Sequence, residues 1–333
     1  MRAEWACSFL FALALVSSTA QAQASAPTPT TSLDAVVVSG AQPGPRLWKV
    51  SKDGHVLWIL GLQSPLPKDI EWASGEAAAR IRESQEILRP PTAKLDADIG
   101  FFGGLALLPS AMGARKNPDG KSLQQVLPPE IYARWLPLKQ RYLGRDSGVE
   151  KFRPIFAAGE LWDAALKRSG LTQKNLVWPV IEDIADDADV KMTTPGITLK
   201  LADPGKALKQ FKASGLDDVS CFERTLSRIE GDLDGMRQRA NAWAVGDIAT
   251  LRALPHADAA SACESAFLSA GVSKQRGFDN IPERLAAAWL AQAERALAEH
   301  TSSFAVLPMR ELLDANGYVA RLRAKGYTVE TRE

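Results

Sequence analysis

Leu47-Trp48-Lys49-Val50-Ser51-Lys52-Asp53-Gly54-His55-Val56-Leu57-Trp58-Ile59-Leu60-Gly61-Leu62-Gln63-Ser64 sets two β-rich runs on either side of an Asp-Gly pair. Asp and Gly tolerate the positive φ angles of a two-residue hairpin turn, so the stretch predicts an antiparallel hairpin. Its second strand delivers the chain to Gly61 and Ser64. Pro65 and Pro67 then break the backbone. Glu71 to Ser84 reads as a helix with Ala77, Ala78 and Ile81 on one side, and Glu86-Ile87-Leu88 as a short strand closed by Pro90-Pro91.

The C-terminal end repeats this grammar. Ser303-Phe304-Ala305-Val306-Leu307 predicts a strand, Glu311 to Lys325 a helix, and Tyr327-Thr328-Val329-Glu330 a closing strand after Gly326. Crossover connections of this kind usually join parallel strands. The expectation is therefore an α/β (α+β) fold: a central mixed sheet built from N- and C-terminal strand-loop-helix-strand units, with a large helical region between them.

Tyr132 to Tyr142, Ile155 to Arg168 and Glu283 to His300 read as helices in that middle region. The clearest is Phe222 to Val245, where Phe222, Leu226, Ile229, Leu233, Met236, Ala240 and Trp243 recur at spacings of three and four and mark one apolar face. Ser220 with Glu223 offers a capping box at its start, and Gly246 a stop. Ser261 with Glu264 offers a second capping box. Gly100 to Leu108 is apolar and reads as a buried helix or a lid.

With 333 residues, 46% of them hydrophobic, and a formal net charge of +1, the chain has ample material for a core and lacks the basic excess of a nucleic-acid binder. Residues 1–24 read as a cleavable signal peptide: Arg2, an apolar run from Cys7 to Val16, then small-x-small cleavage candidates. Residues 25–45 read as a flexible leader rich in Ala, Pro, Thr and Ser, and residues 46–333 as a single domain. Secretion or a periplasmic location follows from that reading, with no transmembrane span after signal removal. Cys221 and Cys263 are then an even pair in an oxidising compartment, 42 residues apart, expected to form a disulfide; two buried or reactive thiols are the alternative.

Motifs for familiar chemistry are absent from the sequence. His55, His256 and His300 are the three histidines, none at metal-ligand spacing with another, and there is no HExxH, CxxC, GxSxG, P-loop or GxGxxG. Glu182, Asp183, Asp186, Asp187 and Asp189 lack the glycine and regular spacing of a calcium loop and read as a solvated acidic face. Asp96 and Asp98 alternate along Leu95 to Ile99 and form a weak candidate acid/base pair.

Leu47-Trp48-Lys49-Val50, Leu57 to Lys68, the Phe304-Ala305-Val306 strand and Leu322 to Val329 resemble TraB/GumN-type proteins (TraB/PrgY/GumN), which are related to the Tiki metalloproteases. Cys221-Phe222-Glu223 and its long helix are also similar, so the likeness spans about Arg46 to Glu330. The resemblance implies an α/β core in which two GxxH histidines and a strand-end glutamate gather around a divalent metal. Here Ser64 stands where the first histidine is expected, Arg89 or Pro90 at the glutamate, and Arg310, within Leu307-Pro308-Met309-Arg310, at the second histidine. Serine is a poor ligand beside imidazole, and arginine does not lose its proton to coordinate a cation.

The expectation is therefore a divergent, catalytically degenerate member without a metal cofactor. It would bind a peptide, envelope protein or small ligand near Gly61, Ser64, Arg89 and Arg310. A TraB/Tiki-type metal-dependent hydrolase using an altered site is the competing expectation. A structural partner of an outer-membrane assembly is a third. It rests on Leu33 to Gly40, a short β-prone segment that resembles the plug opening of TonB-dependent receptors.

Overall fold

The computed structural model describes residues 40–97, 113–201, 203–213, 218–255, 263 and 278–331, which fall in one compact unit. The residues read as a signal peptide (1–24), most of those read as a leader, Asp98, Gly100 to Leu108, His256 and the expected Ser261/Glu264 capping box lie outside the described residues.

The opening hairpin forms as its turn residues require. β1 (Gly40–Gln42) precedes it; β2 (Leu47–Lys52) and β3 (His55–Leu62) then pair antiparallel with Lys52 opposite His55. Asp53 and Gly54 take φ values of 50° and 86°, the left-handed conformation of a type I′ turn. β4 (Leu66–Pro67), β5 (Ile70–Trp72), α1 (Gly75–Arg82) and β6 (Glu86–Leu88) follow. Three of the residues expected in a helix from Glu71 onward are therefore in or beside a strand. β5 pairs in parallel with β1, and Gln42 O accepts the Ala73 N–H at 2.7 Å, so pairing satisfies this backbone before a helix can.

The chain continues through β7 (Thr92–Ala97), α2 (Leu123–Val126), α3 (Pro129–Tyr142), α4 (Pro154–Arg168), β8 (Leu171–Thr172), α5 (Trp178–Asp187), β9 (Lys191–Thr193), β10 (Gly196–Leu201) and α6 (Pro204–Ala213). Then come α7 (Asp218–Gly231), α8 (Leu233–Val245), α9 (Ile248–Ala253), α10 (Ile281–Glu299), β11 (Ser302–Pro308), α11 (Met309–Leu313), α12 (Tyr318–Ala324) and β12 (Thr328–Thr331).

Six strands make the central mixed sheet, in the order β12-β2-β3-β11-β6-β9. β3, β11, β6 and β9 run parallel, while β2 and β12 are antiparallel additions at one edge. β11 enters between β3 and β6, so the two terminal units interleave. Its five central residues, Ser303 to Leu307, are completely buried, as expected for a parallel strand covered on both faces. β12 does not extend the parallel set; it returns along the hairpin, with Val329 opposite Val50.

The middle is helical and carries its own core. Leu123, Trp135, Ala157, Leu161, Phe222 and Leu226 form a second cluster between α2, α3, α4 and α7. The Trp135 and Phe222 rings lie 5.3 Å apart. At the edge of this cluster the buried Arg153 guanidinium donates from Nε to Asp218 Oδ2 at 2.8 Å, joining the starts of α4 and α7. The described part of helix α7 opens at Asp218, so residues 218–220, up to the expected Ser220 cap position, are already helical.

Two helices expected to be continuous are broken. Between α7 and α8, Asp232 departs to φ −121° while its carboxylate accepts Arg239 Nη2 at 2.7 Å. The apolar face runs on across the break, which is why its periodicity gave no sign of one. The expected helix from Glu311 to Lys325 divides into α11 and α12 at Asp314 to Gly317. A Cβ on Gly317 would lie 2.1 Å from Glu311 O, so the backbone passes that carbonyl too closely for any side chain. Gly246 stops α8 as expected, with φ 72°.

Cys221 and Cys263 are joined by a disulfide. The bridge anchors residue 263 to the first turn of α7, beside Ile155 and Phe156. Closing a loop of 42 residues should stabilise the fold by about 4 kcal/mol on the chain-entropy account. Urea unfolding of a Cys221→Ser/Cys263→Ser double variant is expected to show a loss of about 2–4 kcal/mol. An unchanged midpoint would show that the bridge constrains nothing.

Candidate functional site

Three parallel strands end at the same edge of the sheet. Gly61 on β3 is in register with Leu307 on β11, and Ala305 of β11 with Leu88 of β6. The segments that leave these ends carry Ser64, Arg310 and Arg89, so the structure gathers the three positions singled out by sequence at one sheet edge. It does not give them one environment.

Gly61 is buried beneath α11. A Cβ there would meet Met309 Cε at 2.6 Å, Met309 Sδ at 3.0 Å and Leu312 Cδ1 at 3.0 Å. Its carbonyl accepts the Trp243 indole N–H of α8 at 2.6 Å in a fully buried bond. Gly61 thus lets α11 fold back onto β3 while α8 closes from another side. Its role here is close packing.

Ser64 is exposed at the rim of a cleft of about 150 Å3. The cleft lies between the segment after β3 and the loop from β8 to α5. Leu62, Leu66, Leu176 and Val177 give it an apolar part, and Gln63, Gln173, Lys174 and Asn175 a polar one. Lys174 is the one charged group among the described lining residues. Asn175 Oδ1 accepts the Trp178 N–H at 3.0 Å and so caps the start of α5 beside the cleft.

Arg89 turns toward α5. Its guanidinium lies 4.9 Å from the Trp178 ring centroid and donates to Glu182 Oε1 at 2.5 Å. The pair is partly solvated and therefore contributes little stability, about 0.2–1 kcal/mol, but it fixes where Arg89 points. Arg310, in the first turn of α11, is 57% exposed, with Nε 3.3 Å from Glu311 Oε1, and is not among the lining residues of the Ser64 cleft. Behind α11, Tyr318 sits edge-on against Trp289 at 5.0 Å. Burial, reinforced by the Glu311 carboxylate, pushes its phenol up to about 12.

One hydroxyl and two guanidinium groups are a donor set that does not suit a divalent cation: the hydroxyl is weak and the guanidiniums repel it. Among the described residues no group of three or more His, Cys, Asp or Glu side chains is placed to hold a metal. His55 Nδ1 lies 2.6 Å from the His300 carbonyl, and His300 Nε2 3.7 Å from Glu86 Oε2, at the opposite end of β6 from Arg89. Glu86 is buried and receives Thr193 Oγ1 at 2.5 Å and Gln292 Nε2 at 3.2 Å. Glu182 of the acidic stretch is used by Arg89, whereas Asp183, Asp186, Asp187 and Asp189 are exposed to solvent. Asp96 is likewise exposed on β7.

Sequence reasoning missed the amide and lysine side of the cleft. Gln173-Lys174-Asn175 is an ordinary polar loop by composition, and its one local signal was Asn175 three residues ahead of the Trp178-Pro179 helix start. Buried Glu86 was also missed, because an acid within a three-residue strand carries no periodic mark.

Gly61→Ala is expected to lower the unfolding free energy by about 1–3 kcal/mol, because the added methyl displaces Met309 and Leu312. Combining it with Met309→Ala should cost less than the sum of the two single changes in denaturant titrations. Strict additivity would mean that Gly61 is not held against α11.

No curated protein and no solved structure matches this chain. A family model does match, that of the TraB/PrgY/gumN family, over residues 46–331. That span opens on the hairpin, includes all three strand ends and the cleft, and closes on β12. By this match across most of its length, the chain belongs to the TraB/PrgY/gumN family.

Proposed function

We propose that this protein is a secreted, periplasmic member of the TraB/PrgY/gumN family that acts by binding and performs no metal-dependent turnover. The observation that carries the reading is the chemistry of the sheet edge where β3, β11 and β6 end. Ser64, Arg310 and Arg89 occupy the positions at which the family likeness led us to expect metal ligands, and Arg89 is engaged by Glu182 and Trp178. What the edge offers a ligand is the Ser64 cleft, with a hydroxyl, three carboxamides, the Lys174 ammonium and an apolar wall. Such a lining favours a small ligand or peptide end that presents a carboxylate beside an apolar group. Lys174 supplies the charge, and the amides fix orientation.

Export is supported by the signal-like residues 1–24 and by the Cys221–Cys263 bridge, which persists in an oxidising compartment. Among the described residues no helix is long and apolar enough to cross a membrane.

The test combines binding with product analysis. Purified protein is incubated with short peptides bearing free C-terminal carboxylates, with and without zinc, manganese or cobalt, and bound and free fractions are identified by mass spectrometry. The expected result is retention of intact peptides, weakened about tenfold or more by Lys174→Glu, with no new fragments under any metal. Metal-dependent fragments would establish the hydrolase reading instead. Retention indifferent to Lys174→Glu would place the ligand elsewhere.

A further inference from the structure

β7 and β10 form a two-stranded parallel sheet outside the central one, with Thr92 opposite Gly196 and Ala97 opposite Leu201. The two backbones are held close at Gly196, where a Cβ would lie 2.1 Å from Thr92 O. On the inner side Leu199 and Leu201 of β10 are buried with Phe278 and Ile281. β7 differs: its residues from Thr92 to Asp96 are exposed, and among the described residues no strand pairs with its outer edge.

The sequence on that edge alternates with period two. Ala93, Leu95 and Ala97 point to one face, Thr92, Lys94 and Asp96 to the other. Leu95 shares its register position with Leu199, which is buried, yet is itself 57% exposed, the most of any large hydrophobic side chain among the described residues. An apolar strand face beside an open row of backbone N–H and C=O groups is a template for another strand.

We propose that this edge is the contact of a twofold-symmetric homodimer, in which β7 of two copies pair antiparallel with Leu95 opposite the partner's Leu95. The argument for a second copy, and not another partner, is self-complementarity. In that register Lys94 faces the partner's Asp96 and Asp96 faces the partner's Lys94, giving two opposite-charge pairs on one face. On the other face the two Leu95 side chains meet at the axis, flanked by Ala93 opposite the partner's Ala97, small enough to leave them room. An isologous interface requires each position to suit its symmetry mate, and this strand meets that requirement at every residue from 93 to 97. A one-residue slip would put Leu95 opposite a charge. The two β7–β10 sheets then become one four-stranded sheet. Because a single strand pair buries less than the roughly 1,200 Å2 of a standard stable interface, the dimer is concentration-dependent.

Sedimentation velocity over about 1–500 μM tests this, with circular dichroism and thermal melting as controls on folding; the altered side chains are exposed. The wild-type mass is expected to rise from that of one chain toward that of two. Lys94→Asp, which sets an aspartate against the partner's Asp96 twice per dimer, is expected to raise the dissociation constant about tenfold or more, and Asp96→Lys to do the same. The double swap Lys94→Asp/Asp96→Lys restores opposite charges and should restore dimerisation, while Leu95→Lys should abolish it. A chain that stays monomeric throughout, or a dimer unaffected by Leu95→Lys, would overturn the proposal. Failure of the double swap to rescue would overturn the register and with it the self-complementarity argument.

Discussion

Parallel pairing between β3 and β11 is the constraint on which the rest of this structure depends. Seven consecutive register pairs, from Val56–Ser302 to Leu62–Pro308, join segments about 245 residues apart in sequence. Both strands are largely buried, so their backbone groups have no alternative partner in water. Until the C-terminal unit arrives, β3 pairs only with β2 and β6 only with β9, and nothing joins the two pairs into one sheet. Contacts of such sequence separation form late and slowly. They also have a functional consequence: the ends of β3, β11 and β6 can share an edge only when β11 lies between the other two.

At that edge, close packing and the lining of the cleft are divided between neighbouring residues. Gly61 and its carbonyl face inward, to Met309, Leu312 and Trp243. Three residues later Ser64 is at the rim of the cleft. The abrupt change follows from the strand ending at Leu62, after which Pro65 and the β4–β8 pair carry the chain across to Leu171. Lys174, from the far side of that pairing, enters the same cleft. The edge is thus a meeting of loops held by a rigid sheet, the usual position for a ligand site in an open α/β arrangement.

Sequence reasoning succeeded where the signal was local. The Asp53-Gly54 turn, the β-rich runs beside it, the apolar β11 strand and the Gly246 stop each rest on conformational preferences within a few residues. It failed where tertiary partners decided the outcome. The break at Asp232 is held by Arg239, seven residues on, and interrupts an apolar stripe that stays in phase. Ile70–Trp72 is a strand because β1 is available to pair with it, and Trp72 then lies 6.3 Å from Trp243. For the site, the strand-end positions could be named in advance, but not where each side chain would turn. Arg89 faces α5, Arg310 faces solvent, and only Ser64 of the three polar positions lines the cleft.

We propose that this sheet edge has been kept as a binding surface without metal chemistry. The reading is supported by the hydroxyl, carboxamide and ammonium groups that line its cleft and by the two guanidinium groups beside it, each set against a neighbouring carboxylate. Metal content measures this most directly. Protein purified without chelators, then equilibrated with zinc, manganese and cobalt in turn and freed of excess, is predicted to carry no stoichiometric metal. One equivalent retained per chain, and lost on Ser64→Ala, would contradict the account.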